Sequence, residues 1–203
     1  MSNIKTAVFV SGGGTNLQAL IDAKASGIIK DADFVLVLSS SEDAYALKRA
    51  ENAGIETATV SRKESASQSD FESKIIEKLN EYGIEMIVLA GFMSILSADF
   101  TKKYANRILN VHPALIPSFC GKGFYGLHVH EAALEYGVKV SGATVHFVNE
   151  IPDGGKIIMQ KAVEVLDDDT PKTLQRRIME QAEWIILPQS VQKVALMIKN
   201  GEI

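Results

Sequence analysis

The chain is poor in several residue types, and each shortage excludes something. One cysteine, Cys120, occurs in 203 residues. No internal disulfide can form, and no cysteine pair can bind a metal or exchange thiols. The four histidines are scattered, and with Cys120 they match no zinc-binding spacing. No metal is therefore expected. Long apolar runs are missing. The opening stretch 1–14 carries one lysine and an apolar segment too short for a signal peptide or a membrane helix. No excess of positive charge exists either. The formal net charge is -4, which gives no general attraction to nucleic acid or to an anionic membrane. A bound anion must be met by a local device. These shortages point to a cytoplasmic protein with no nucleic-acid or membrane partner; they leave its oligomeric state, monomer or homodimer, open.

What is present is ordinary for a globular domain: 46% hydrophobic and 23% charged residues, enough apolar content for a sizeable core. The first half alternates short apolar runs with helix-period segments. Strands are predicted at Thr6–Val10, Phe34–Leu38, Glu56–Val60, Met86–Ala90 and Arg107–Val111. Helices are predicted at Thr15–Ala25, Ala44–Ala53, Asp70–Tyr82 and Ser97–Tyr104, with Gly54 and Gly83 closing two of them. Uniformly apolar strands separated by helices imply a parallel sheet covered on both faces. The expected class is α/β, doubly wound, with ligands beyond the carboxyl ends of the strands.

The second half reads differently. Pro113–Leu127 is loop-like, and His130–Tyr136 is helical. Gly142–Asn149 and Lys156–Val165 are β-type runs around a tight Pro152-Asp153-Gly154-Gly155 turn, an antiparallel hairpin signal. Thr170–Lys199 reads as a long C-terminal helix, with Thr170 as N-cap, Pro171 at N1 and a break or kink at Pro188. With no repeat and no linker, residues 1–203 form one domain. Its halves are a phosphate-binding α/β part, 1–111, and a catalytic part, 112–203.

Three segments carry chemistry. Ser11-Gly12-Gly13-Gly14-Thr15-Asn16 joins the first strand to the first helix, and backbone N–H groups in such a turn can close around a phosphate. It is neither a Walker A motif nor a dinucleotide fingerprint, since Leu17 stands at the third glycine's place. A bare strand–helix turn would use fewer glycines. Asn110 and His112 lie on one face of the fifth strand. They read either as a polar strand end or as a pair that holds an oxyanion and moves a proton. Asp153 reads either as turn chemistry or as a carboxylate set against His112, orienting it and raising its pKa. No serine or cysteine is poised as a nucleophile, so direct group transfer fits better than a covalent acyl-enzyme.

The chain resembles the phosphoribosylglycinamide formyltransferases of the folate-dependent formyltransferase family over about Lys5–Pro188. The similarity runs through Ala7–Leu20 with its glycine turn, Leu89-Ala90-Gly91-Phe92-Met93-Ser94-Ile95-Leu96-Ser97, Leu109-Asn110-Val111-His112-Pro113-Ala114-Leu115-Ile116-Pro117, and Gly142–Val148 followed by Asp153-Gly154-Gly155. The last two stretches specify the superfamily; the opening turn and the length narrow it. The resemblance implies transfer of a formyl group from 10-formyltetrahydrofolate to the amine of glycinamide ribonucleotide, in purine biosynthesis. Alternatives are a formyltetrahydrofolate hydrolase, or transfer to another small amine. It implies Asn110, His112 and Asp153 as the catalytic set, with Asn110 and His112 donating to the oxyanion. Gly13, Gly14, Thr15 and Asn16 surround the substrate phosphate, and Glu183 holds its glycinamide end. Met93, Ser94, Ile95, Leu96, Asn110, Asn149, Glu150 and Asp153 form the folate site. Ser94 stands where many members have arginine, Lys156 where proline often follows the two glycines, and Pro152 precedes the aspartate. These departures alter the folate side of the site. The Ser118–Tyr125 loop is longer than in some members.

Overall fold

The computed structural model describes residues 2–203. Five strands run parallel: β1 (Ile4–Val10), β2 (Ala32–Ser39), β3 (Glu56–Thr59), β4 (Met86–Leu89) and β5 (Ile108–His112). β6 (Val140–Phe147) and β7 (Ile157–Glu164) continue the sheet antiparallel. The order is β3-β2-β1-β4-β5-β6-β7. It reverses direction between β1 and β4, which makes a switch-point crevice at their carboxyl ends.

Alternation along each strand feeds two cores. Val8 and Val10 of β1 face one side and Ala7 and Phe9 the other, all fully buried. The first side is covered by α1 (Thr15–Ala25), α2 (Tyr45–Asn52) and the C-terminal helices; the second by α3 (Gln68–Tyr82) and α4 (Ala98–Lys103). Each large side chain buried this way contributes about 2 kcal/mol. Local signals set the helix ends. Ser67 accepts from the Asp70 amide to start α3, and Gly83 at φ 65° ends it. Ser97 caps α4 by accepting from Phe100 N–H.

The expected doubly wound sheet, antiparallel pair and C-terminal helix are all present, with local differences. α5 (Leu127–Tyr136) begins directly after Gly126, earlier than the expected His130. The β6–β7 connection is a longer loop, 148–156, and not a tight turn. Thr170 does cap α6 (Pro171–Ile178), with Pro171 at the first position. The expected break at Pro188 is a correction: Pro188 lies inside α7 (Trp184–Lys199), and the irregularity falls before it, as a π turn over Met179–Glu183. Proline crowds the carbonyl four residues earlier. That carbonyl belongs to Trp184, where the widened turn ends and supplies the slack.

Candidate active site

The glycine turn leaves β1 at the switch point. All three glycine carbonyls are tied to the protein: Gly12 O accepts from Ala46 N–H at 3.0 Å, Gly13 O from Arg49 Nε–H at 2.9 Å, and Gly14 O from Gln18 N–H at 2.9 Å. The amides of Gly12 through Leu17 donate to no protein group among the described residues. Satisfied carbonyls and free amides at a helix N-terminus are what an anion needs. A Cβ on Gly12 or Gly13 would meet nothing within 4 Å. Gly14 differs. Its φ is 72°, and a Cβ there would lie 2.6 Å from Ala46 Cβ, so packing against α2 demands this glycine. Asn16 donates through Nδ2 to Glu183 Oε2 at 2.7 Å. Glu183 is buried at the end of the π turn, and its burial holds the carboxyl above its ordinary pKa, partly offset by Asn16.

Two strands away, at a strand spacing of about 5 Å each, β5 presents Asn110 and His112. The loop 148–156 brings Asp153 to both. Asp153 Oδ2 stands 3.5 Å from His112 Nδ1, and Oδ1 stands 3.5 Å from Asn110 Nδ2. Reaching this position requires an unusual backbone. Asp153 has φ 57°, in a region that Asp tolerates better than most residues. The glycines after it let the loop fold back on β6. A Cβ on Gly155 would fall 1.6 Å from Phe147 O, and one on Gly154 2.6 Å from Ile151 Cγ2. The double glycine therefore delivers the carboxylate as well as making the turn.

His146 belongs to the same cluster and was not singled out from the sequence. It pairs with Asn110 across β5 and β6, and its Nε2 lies 3.3 Å from Asn110 Nδ2 and 3.5 Å from Asp153 Oδ1. A carbonyl only accepts, so His146 Nδ1–H donates to Phe147 O at 2.8 Å. In the neutral ring Nε2 is then an acceptor, which orients the Asn110 NH2 group. The available signal was polar Thr144 and His146 at period two, which places them on one face of the strand.

The same reasoning sets the His112 tautomer. Its Nε2–H donates to Phe119 O at 2.8 Å, which leaves Nδ1 facing Asp153. The net His112 pKa is nevertheless lowered, although Asp153 acts on it in the expected, raising direction. Burial, the largest influence, lowers it, and the Asp153 charge and the Phe119 carbonyl only partly offset this. For Asp153, burial is again the largest single influence and raises the pKa. Donation from Gly121 N–H (2.8 Å), the nearby His146 ring and the positive charge that His112 and His146 carry when protonated together outweigh it and leave the net value below the ordinary one. The pair is thus an ionised carboxylate beside a neutral imidazole.

Ser94, Ile95, Leu96, Asn110, Asn149, Glu150 and Asp153 line one cleft of about 120 Å³. Met93 does not line it; its N–H donates to Ser11 Oγ at 2.9 Å, joining the β4 exit to the glycine turn. A larger cavity of about 450 Å³ lies against α1 beside Ile28 and Trp184 and contains none of the catalytic candidates. The smaller cleft is the one lined by Asn110, His146 and Asp153.

Residues 4–191 match the family described as formyl transferase. The chain is 41% identical over 184 residues to the phosphoribosylglycinamide formyltransferase of Haemophilus influenzae, covering 91% of this chain and 84% of that protein. It is 44% identical over 194 residues to the trifunctional purine biosynthetic protein adenosine-3 of Gallus gallus; that match covers 96% of this chain but spans only 19% of the relative's length. Among solved structures, phosphoribosylglycinamide formyltransferase from Brucella melitensis superposes with a TM-score of 0.86 at 42% identity, covering 96% of each chain. Glycinamide ribonucleotide transformylase 1 from Symbiobacterium toebii gives 0.88 at 40% identity, covering 95% of this chain and 88% of that one.

Proposed function

The chain belongs to the formyl transferase family, and from that premise we propose that it moves the formyl group of 10-formyltetrahydrofolate to the amine of glycinamide ribonucleotide. The observation that carries this reading is the Asn110–His112–Asp153–His146 cluster, two strands from a turn of free amides. A phosphorylated amine bridges that distance: its phosphate meets the amides of Gly13, Gly14, Thr15 and Asn16, its amine end lies toward Glu183, and its nitrogen reaches the cluster. The folate lies in the cleft of Ser94, Ile95, Leu96, Asn149 and Glu150, with Met93 beside it.

In the reaction the amine nitrogen attacks the formyl carbon, and the carbonyl pair moves onto oxygen. Asn110 donates to that oxyanion through the N–H whose contact to Asp153 is long, an effect typically worth about 3 kcal/mol for one placed donor. Neutral His112 accepts the proton of the attacking nitrogen at Nδ1, where Asp153 stabilises the imidazolium. The proton passes to the folate nitrogen as its bond to the formyl carbon breaks. The Nε2–H bond to Phe119 supports this role for His112, in preference to donation from the start. Hydrolysis of the formyl donor would need only that water replace the amine.

The test is an assay with 10-formyltetrahydrofolate and glycinamide ribonucleotide, with released formate measured in parallel. Formylated ribonucleotide with little formate is expected. Formate production that ignores the ribonucleotide would establish the hydrolase, and no consumption of the folate would remove both readings.

A further inference from the structure

The three carbonyl bonds of the glycine turn are not equivalent. Gly12 O and Gly14 O are held by backbone amides, of Ala46 and Gln18, whereas Gly13 O is held by the Arg49 side chain at 2.9 Å. A trans peptide points its C=O and the next residue's N–H in opposite directions. The Arg49 bond on Gly13 O therefore turns Gly14 N–H away from α2. The bond from Ala46 does the same for Gly13 N–H, and the one from Gln18 turns Thr15 N–H away from the body of α1. Of these three peptides, the one between Gly13 and Gly14 alone depends on a side chain. Both flanking residues are glycine, so neither adds a side chain that would hinder its rotation, and around Gly13 a Cβ would meet nothing within 4 Å, while Gly14 packs against Ala46. Turned over, it would present a carbonyl oxygen where an anion needs a donor.

Arg49 is braced for this task. Its NH1 donates to Gln18 Oε1 at 3.0 Å, and its guanidinium lies 5.1 Å from the centre of the Tyr45 ring. Nε and NH1 bond two acceptors from different elements at once, the turn and α1. A planar fork allows this and a lysine ammonium on a flexible stem does not reproduce it.

We propose that Arg49 is a positioning residue of the anion site, locking the Gly13–Gly14 peptide so that Gly14 N–H faces the phosphate of the substrate. It acts on binding of the phosphorylated substrate and not on the formyl transfer step. The proposal rests on the functional reading above for the identity of that substrate, but not for the existence of the anion site.

Two measurements separate the two ideas. In the first, Arg49→Ala, Arg49→Lys and the wild type are compared for the KM of glycinamide ribonucleotide, the KM of the folate and kcat. Losing one oriented charge-assisted hydrogen bond raises the first KM by roughly tenfold, with the folate KM and kcat within about twofold. Arg49→Lys keeps the charge and still shows most of the rise. Full rescue by lysine would mean that charge and not orientation matters, and an unchanged KM would overturn the proposal outright. In the second, inorganic phosphate is titrated while backbone amide NMR signals are followed. The Gly14 amide shifts on titration of the wild type and loses that response in Arg49→Lys, a variant that serves equally if Arg49→Ala does not fold. An equal response in both overturns the proposal whatever the enzyme's reaction proves to be. Failure of formyl transfer by the wild type, with the Gly14 response intact and Arg49-dependent, would count against the reaction alone.

Discussion

At the scale of single residues, Asp153 is the centre of the proposed chemistry, because one carboxylate faces Asn110, His112 and His146 and is held by Gly121 N–H. Replacing His112 by alanine removes the proton acceptor, and Asp153→Asn removes the charge that steadies it. Each is expected to lower kcat by about 10²–10⁴-fold, with ligand affinities nearly unchanged; near-normal turnover in both would dismiss the cluster as catalytic. The pH profile has a defined sign. In the proposed mechanism His112 acts as the neutral ring, and its pKa lies below the ordinary histidine value of 6.5 because of burial. Activity therefore persists on the acid side of the ordinary histidine range. Asp153 is an influence that raises the His112 pKa, so the residual activity of Asp153→Asn should retain its acid limb at still lower pH. A limb that moves upward would contradict the assignment.

At the scale of elements, the loop 148–156 and the π turn do most to shape the site. The loop can return to β6 only because position 155 has no side chain: a Cβ would sit 1.6 Å from Phe147 O. Gly155→Ala must displace backbone on one side or the other. The expected cost is about 1–3 kcal/mol, seen as a fall of several degrees in Tm. A larger proportional loss of kcat should accompany it, since Asp153 moves with the loop. A variant with lowered Tm and intact kcat would show that Asp153 tolerates the shift. The double glycine is visible in the sequence as a tight turn, beside an Asp153 that reads either as turn chemistry or as a carboxylate set against His112. Its second purpose appears only when Phe147 is seen against it. The π turn left no signature that was read beforehand. The expected break at Pro188 does not occur; the irregularity lies upstream, in the π turn that ends on Glu183, opposite Asn16.

At the scale of the whole molecule, burial of titratable groups couples the fold to pH. His130 on α5 is fully buried, and neither ring nitrogen has a partner among the described residues. Burial, with a smaller contribution from His112, lowers its pKa from 6.5 to about 4. An unfolded chain binds this proton below pH 6.5 and the folded chain does not, so stability falls as pH drops from 6.5 toward 4 and levels off below. The contribution across that window is roughly 3 kcal/mol. Urea unfolding at pH 7 and pH 4.5 should show that His130→Leu loses less stability on acidification than the wild type. Equal losses would mean that other groups govern the acid response.

The sequence by itself determined the class of fold. Uniformly apolar runs at helix-separated spacing require a sheet covered on both faces, and Thr170 followed by Pro171 marks a helix start by purely local hydrogen bonding. It also made the glycine turn, Asn110, His112 and Asp153 legible, because each lies at a strand end or a turn, where short-range pattern carries meaning. Tertiary structure alone decided what depends on contacts across the chain. The meeting of His146 with Asn110 needs the β5–β6 register. The lowered His112 pKa needs the degree of burial, which no local pattern states. The tie from Arg49 to Gly13 spans two elements whose proximity follows from the packing of α2 on the turn. Hydrophobic period and capping are properties of neighbours in sequence, whereas proton affinity and the direction of a peptide are set by neighbours in space.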